Sequence, residues 1–244
     1  MPSKTPAIPL FEWEFEEKTL NIFPPEIARN PYMVYHGTSL VHSTNIETSG
    51  FKIDYQPVEK DRVFALVKSL DSFGHISDYK SGEMFTTLND IGLVEQYLLE
   101  VRSISFSPVS YVAATYAANF KGGLLLSKLS FLSNLLIEEI QAGQLENKLS
   151  SELLNARFIK ARCEEIRNTE GVIYAIEVDD NLKSLLYSNI GVIYSRADIP
   201  LLAIKGKMII PIGFQPPQIP NRVIQELLFF KASRSPGISY DLDI

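Results

Sequence analysis

Hydrophobic residues along the chain follow two different periods, and each period predicts its own kind of element. Over residues 124–167, leucine and isoleucine recur every three or four positions, which indicates a long helical stretch with a break near Gly143. Strands are predicted at 100–107, 171–178, 190–194 and 203–211, most clearly from the apolar run at 171–178. We therefore expect an α+β fold with mostly antiparallel strands and a helical hairpin inserted at 124–168.

Residues 31–51 combine a strand, a helix and a polar junction within a short stretch. The apolar run before His36 predicts a strand, residues 40–49 predict a short helix, and Gly50 is expected to end that helix. The strand ends in His36-Gly37-Thr38, which presents an imidazole, a backbone without a side chain, and a hydroxyl. Such a strand end is suited to binding an amide or a ribose.

The remaining segments give weaker patterns. Phe11, Trp13 and Phe15 alternate with glutamates in the leader of residues 1–30, which predicts a half-buried strand. The irregular region 52–100 is expected to carry a substrate-facing loop. Four further segments predict a strand or short helix at 61–69, a loop at 74–82, a helix at 90–99, and a last strand or helix at 223–231.

Composition and charge narrow the class of protein. The 244 residues carry a formal net charge of −6, which argues against a broad nucleic-acid surface because such surfaces need clustered lysine and arginine. Cys163 is the only cysteine, so no internal disulfide can form; a reducing compartment and a structural thiol are expected. The three histidines lack the spacing of a metal site, and we expect no metal, signal peptide or membrane span.

A second group of polar and aromatic residues lies further along the chain. Ser105-Phe106-Ser107 ends the strand predicted at 100–107, and Tyr116 follows on a predicted short helix. Together with His36-Gly37-Thr38, this arrangement resembles the ADP-ribosyltransferase superfamily, in particular its PARP-like and diphtheria-toxin-like mono-ADP-ribosyltransferases. The resemblance covers residues 31–51, 101–120 and 170–211.

The resemblance implies a fold and a substrate. The fold would be the family's split antiparallel β-sheet core with helices, as one domain over residues 1–244 with a leader at 1–30 and a helical insertion at 124–168. NAD would be bound and consumed as a substrate, without a metal. His36 would contact its ribose, and the backbone of Gly37 would pair with its carboxamide, which offers one donor and one acceptor.

The resemblance also implies roles for the second group of residues. In PARP-like members two tyrosines sandwich the nicotinamide ring. Tyr116 matches one of them, whereas Ser105 stands where the other is found. The expected NAD-binding set is completed by Thr38, Phe106 and Ser107.

The catalytic carboxylate is the point at which this sequence departs from the family. Active transferases carry a glutamate at the start of a later strand, where it polarises the ribose 2′-hydroxyl. The corresponding strand here, at 190–194, begins without a carboxylate. Glu226 is the first candidate to act beside His36 as a catalytic residue, and Asp198 is the second. The third option is a site without an acidic catalyst, because some members borrow a carboxylate from their substrate and others with this change are inactive.

The expected activity is transfer of ADP-ribose from NAD to a macromolecular acceptor, a protein or a nucleic acid, with release of nicotinamide. Two alternatives stay open: a degenerate module that binds NAD or ADP-ribose without turnover, and an NAD glycohydrolase. An RNA 2′-phosphotransferase is disfavoured, because the arginines lack the expected placement beside His36. We expect a cytoplasmic protein, and a delivered effector or toxin is one form that it could take. An inhibitory partner is possible, and no membrane partner is expected.

Overall fold

The structure, a computed structural model, describes residues 7–72, 103–121, 123–189, 192–233 and 239–240. The chain divides into two compact units. The strand unit consists of Met1–Tyr55, Arg102–Lys121 and Thr169–Ile244, and the helical unit consists of Gln56–Val101 and Gly122–Asn168. The predicted insertion at 124–168 therefore falls within the helical unit.

The described helices and strands are numbered here in chain order. They are α1 (Pro25–Ala28), β1 (Met33–Ser39), a 3₁₀ turn (Leu40–His42), α2 (Ser43–Ser49), α3 (Lys60–Ser72), β2 (Ile104–Phe106), α4 (Ser110–Asn119), α5 (Gly123–Ala142), α6 (Ser150–Asn168), β3 (Gly171–Glu177), α7 (Asp180–Lys183), β4 (Leu186–Asn189), β5 (Val192–Ser195), a second 3₁₀ turn (Leu201–Ala203), β6 (Ile204–Ile210), α8 (Asn221–Ser233) and β7 (Ser239–Tyr240).

The strands form two small sheets, and the mixture of strands and helices fits the predicted α+β composition. One sheet has the order β1-β3-β6 and the other β2-β5-β4-β7. Their pairs are antiparallel except for the short parallel pair β4–β7. A single antiparallel bridge between Tyr35 and Ser107 joins β1 to the end of β2.

The three-stranded sheet is buried on both faces, which explains why β3 reads as an unbroken apolar run. Tyr35 and Ile173 point to one face, where they pack in a cluster with Ala113 of α4. Val34 and Tyr174 point to the other face, where they pack with the core of the second sheet. β1 therefore lies with α4 on one face and the core of the second sheet on the other.

The leader is extended, as its alternation predicts, but the strand predicted from Phe11, Trp13 and Phe15 does not form. These three aromatic residues are half-buried, and the glutamates between them are exposed. In its described part, from residue 7 onward, the leader pairs with β6 through one bridge between Leu10 and Lys207, and a second bridge joins Glu16 to Asn21 within the leader.

The helical unit contains the predicted hairpin, with α5 and α6 on either side of the break near Gly143. Its core includes leucines and isoleucines of α5 spaced at three and four residues, and Cys163 of α6, which is fully buried. Burial raises the pKa of the Cys163 thiol to about 11, as suits a structural residue. Residues 61–69 lie in the helix α3. The loop and helix predicted at 74–82 and 90–99 lie outside the described residues.

None of the helices in the described part of the chain combines the length and hydropathy needed to cross a membrane.

Candidate functional site

The two sheets part immediately beyond the bridge between Tyr35 and Ser107. At that bridge each residue donates its backbone N–H to the carbonyl oxygen of the other, and the N···O distance is 2.8 Å in both hydrogen bonds. Continued antiparallel pairing would place Gly37 opposite Ser105. Between these two described residues no backbone hydrogen bond forms. We refer to the gap between Gly37 and Ser105 as the β1–β2 opening.

His36 keeps the β1–β2 opening apart. Its Nδ1 lies 2.8 Å from the carbonyl oxygen of Ser105. A carbonyl only accepts, so Nδ1 carries the proton and Nε2 of the neutral ring is an acceptor. The imidazole packs edge-to-face with two aromatic rings that also contact each other, with centroid distances of 4.9 Å to Phe51 and 5.8 Å to Phe106. The neutral ring therefore has one hydrogen-bond acceptor, Nε2.

The charge state of His36 follows from its surroundings. Burial lowers the pKa of His36 below its ordinary value of 6.5, and the hydrogen bond to Ser105 opposes this only in part. The ring is therefore neutral at pH 7.

We predict that His36 makes folding stability depend on pH. The unfolded chain takes up a proton at His36 near pH 6.5, whereas the folded chain does so only at lower pH. The contribution of His36 to the free energy of unfolding is thus complete above pH 6.5 and is lost as the pH falls towards the folded pKa. NMR titration of the ring protons should give a midpoint below 6.5. A midpoint above 6.5 would contradict the described environment.

Gly37 turns its backbone towards the β1–β2 opening. Along a strand the peptide groups of alternate residues face the same edge, so the N–H and C=O of Gly37 point the same way as those of Tyr35. They face away from β3 and towards Ser105. A donor and an acceptor therefore lie side by side at the opening, as binding of a carboxamide requires.

The identity of Gly37 is fixed by α4. A β-carbon at this position would lie 1.8 Å from the carbonyl oxygen of Ala113 and 3.0 Å from the backbone nitrogen of Ala117. The absence of a side chain lets the helix lie directly on β1. Because α4 carries Tyr116 beside Ala117, this contact also brings Tyr116 within about one helical turn of Gly37.

Tyr116 is an exposed aromatic residue on a helix whose other face is buried. Its side chain is 51% exposed, and that of Phe120, one turn later, is 58% exposed. The two ring centroids lie 5.8 Å apart. The predicted stacking residue therefore has an accessible ring, and Phe120 is a neighbour that the sequence reading had not singled out.

Of the other predicted NAD-binding residues, Ser105 lies at the β1–β2 opening and the rest are buried beside it. Phe106 is buried in the core against the His36 ring. The Ser107 hydroxyl donates to the carbonyl oxygen of Val109 and accepts from its N–H, which fixes the turn into α4. Thr38 is buried at the end of β1, whereas the Ser105 side chain is exposed.

Neither predicted carboxylate contacts the opening. Glu226 lies on α8 with its side chain 64% exposed, and it accepts a hydrogen bond of 2.8 Å from Arg222. Asp198 binds Lys52 and the backbone N–H of Ile53, and these bonds lower its pKa. The start of the predicted strand at 190–194 lies outside the described residues.

A partly buried ion pair near His36 was not predicted from the sequence. Nζ of Lys207, on β6, donates to both carboxylate oxygens of Glu47, at distances of 2.7 and 2.6 Å. The Tyr174 hydroxyl donates to Glu47, and burial together with this carboxylate raises the pKa of Tyr174. Tyr174 is opposite His36 in the ladder and packs on Phe51. Residues this distant in sequence give no local signal that they will meet.

Comparisons with protein-family models, curated proteins and solved structures gave no match. Within the described ranges, no group of three or more His, Cys, Asp or Glu side chains is arranged to hold a metal ion. The polar groups that converge are the Gly37 backbone, the His36 imidazole and Ser105.

Proposed function

We propose that this protein is an NAD-dependent mono-ADP-ribosyltransferase whose β1–β2 opening binds nicotinamide. The observation that carries the proposal is that Ser105 bonds to the His36 ring instead of to Gly37. This leaves the N–H and C=O of Gly37 directed at a gap between two strands. A primary carboxamide matches that pair, because its oxygen accepts from the N–H and its NH₂ donates to the C=O.

The neighbouring side chains suit the rest of the ligand. Tyr116, on the helix that contacts Gly37, offers a ring face for the nicotinamide ring. The neutral His36 offers Nε2 to a ribose hydroxyl. Two sheets joined by a single bridge also agree with the split sheet that the resemblance implies.

The rate of the reaction would depend on the positioning of NAD more than on acid–base catalysis. The bond between ribose C1′ and the nicotinamide nitrogen breaks, and its electron pair leaves with nicotinamide. Positive charge develops on the ribose, and a nucleophilic atom of the acceptor then bonds to C1′ and loses its proton. The nicotinamide hydrogen-bonded to the Gly37 backbone and the ribose hydroxyl donating to His36 would be held in a fixed relation, which lowers the barrier through orientation.

The role of Glu226 is tested by Glu226→Gln, which keeps the size of the side chain and removes its charge. A catalytic Glu226 would give a variant that binds NAD but has lost turnover. Its exposure and its bond to Arg222 favour the opposite outcome, and we expect nicotinamide release within about twofold of wild type, as for an exposed site. Single-turnover nicotinamide release, with NAD affinity measured in parallel, decides between the two.

The proposed function is tested by incubating the purified protein with NAD labelled in the adenosine part, with and without a cell lysate. Nicotinamide release together with transfer of label to macromolecules is the expected result. Release without transfer would instead indicate an NAD glycohydrolase, since water can replace the acceptor.

A degenerate binding module is the second candidate. It is favoured by one observation, that neither Glu226 nor Asp198 contacts the β1–β2 opening among the described residues. This candidate predicts NAD binding in a thermal-shift assay with no release of nicotinamide. Absence of both binding and release would contradict either form of the proposal.

A further inference from the structure

Two exposed aromatic rings lie next to each other on α4. Tyr116 and Phe120 are about one helical turn apart, so their side chains share one flank of the helix. The two residues are 51% and 58% exposed. Their ring centroids lie 5.8 Å apart, and the ring planes are inclined to each other by 56° rather than stacked. We refer to this pair of rings as the aromatic corner.

The direction of α4 decides where the aromatic corner points. A β-carbon on Gly37 would meet the backbone of Ala113 and Ala117, and one on Gly171 would meet the carbonyl oxygen of Ala117. Gly171 is opposite Ser39, further along β1 than Gly37. α4 therefore runs in the same direction as β1, with Ala113 and Ala117 against the sheet.

The handedness of the chain then places the aromatic corner on the side of the β1–β2 opening. Seen from α4 with β1 running upward, the peptide groups of Gly37 point to the right, as for any L-residue whose side chain would face the viewer. In a right-handed helix running upward over the sheet, the residue before a sheet-facing residue also lies to the right. Tyr116 precedes Ala117, so Tyr116 and Phe120 lie on that side. Ala114, on the other flank, is fully buried.

The end of α4 is fixed beside the aromatic corner. Lys121 follows Phe120 and is buried, and its Nζ donates to the carbonyl oxygen of Thr169, which precedes β3. Burial lowers the pKa of Lys121, and the nearby carboxylate of Glu170 opposes this shift. The positive charge of Lys121 is thus directed towards the start of β3 and is partly offset by Glu170.

We propose that the aromatic corner binds the nicotinamide ring in its positively charged pyridinium form and so selects the oxidised dinucleotide. This inference rests on the proposed function and assigns the charged part of the ligand. In the oxidised dinucleotide the ring nitrogen is bonded to the ribose and the planar ring carries a positive charge, whereas the ring of the reduced form is neutral. The faces of aromatic side chains carry negative charge density and attract cations.

The carboxamide and the charge of the ligand would be recognised by different groups. The backbone of Gly37 pairs with the carboxamide, and a ring lying on the face of Tyr116 is approached by Phe120 from a second side. When the bond to the ribose breaks, its electron pair stays on the ring nitrogen and cancels the charge. The neutral nicotinamide is then held less tightly by the aromatic corner than the substrate was, which favours its release.

The experiment measures the affinities of three small ligands by calorimetry. Nicotinamide has the carboxamide without a charge, 1-methylpyridinium has the charge without the carboxamide, and 1-methylnicotinamide has both. We expect the wild type to bind 1-methylnicotinamide at least about fivefold more tightly than nicotinamide, as for a cation–π contact at an exposed site.

Substitutions of Phe120 test its part in this preference. Phe120→Leu should lower the preference to about twofold or less and keep nicotinamide affinity within about twofold of wild type, because leucine keeps the apolar contact and loses the aromatic face. Phe120→Tyr keeps an aromatic face and should retain the preference. Phe120 is exposed, so both variants should fold. Phe64→Leu changes a phenylalanine of α3 that is 60% exposed in the helical unit, and it should alter none of the three affinities.

The outcomes separate this inference from the proposed function. Equal wild-type affinities for nicotinamide and 1-methylnicotinamide, or a preference that Phe120→Leu leaves unchanged, overturn the inference, and nicotinamide binding then still supports the proposed function. If 1-methylpyridinium binds as tightly as 1-methylnicotinamide and depends on Phe120, the aromatic corner is a cation site and the assignment of the carboxamide to the β1–β2 opening is overturned. Absence of binding of all three ligands overturns both.

Discussion

Replacing Gly37 by alanine is expected to destabilise the strand unit by about 3 kcal/mol or more, at the upper end for an overpacked core. The added methyl group would lie 1.8 Å from the carbonyl oxygen of Ala113, so α4 would have to move away from β1. Movement of α4 would disturb a buried cluster that includes Tyr35 and Ile173. Urea unfolding, monitored by circular dichroism, should show this loss of stability as a lower urea concentration at the midpoint of unfolding.

Gly143→Ala is the matched control for that prediction. A methyl group at Gly143 would meet chiefly the flexible side chain of Leu145, at 3.2 Å, and the residue lies at the end of α5 outside the strand unit. We expect a change within about 1 kcal/mol, since the side chain can adjust. If Gly37→Ala were as stable as Gly143→Ala, the described contact between α4 and β1 would be wrong.

His36→Ala is expected to reduce nicotinamide release from NAD by at least about 100-fold, comparable to losing one oriented hydrogen-bonding group in an active site. Two physical effects combine. The variant lacks the Nε2 acceptor, and it frees the Ser105 carbonyl to pair with the N–H of Gly37. The second effect would close the β1–β2 opening by extending the ladder.

His36→Gln separates the two effects, because its amide can still donate to Ser105 and can accept from a ligand. We expect it to retain more activity than His36→Ala, with both variants folded. The measurement is kcat and KM for nicotinamide release, with thermal unfolding as the check on folding. A folded His36→Ala variant with wild-type turnover would show that His36 has no role in the reaction.

Local patterns predicted the helices and strands around the β1–β2 opening better than their arrangement. A short apolar run ending in His36-Gly37-Thr38 was enough to anticipate a strand end with polar groups, and β1 includes all three. The helical period likewise predicted α5, α6 and the break between them. These features depend on neighbours in sequence, so a single sequence carries their signal.

The parts that could not be predicted depend on register between distant strands. The contact of His36 with Ser105 joins residues 69 positions apart, and the ladder places Tyr194 opposite the same serine. Nothing in either segment specifies which residue will lie opposite. The same holds for Glu47 and Lys207, which are brought together by α2 and β6.

The environment of Glu226 could not be predicted for a different reason. Residues 223–231 were expected to form a strand or a helix, and the structure has the helix α8. On that helix Glu226 is one turn from Arg222, so the two form an exposed i,i+4 ion pair. An apolar run of this length does not distinguish strand from helix, and the environment of its carboxylate differs between the two.

The most direct test of the central claim is the backbone amide of Gly37, observed by NMR in the full-length protein during titration with nicotinamide. If the β1–β2 opening binds the carboxamide, the Gly37 amide proton should shift downfield and saturate, and the Ser105 amide should respond with it. Nicotinic acid, whose carboxylate cannot donate to the Gly37 carbonyl, should bind more weakly. Gly37 and Ser105 resonances that stay unchanged at saturating nicotinamide would contradict the account.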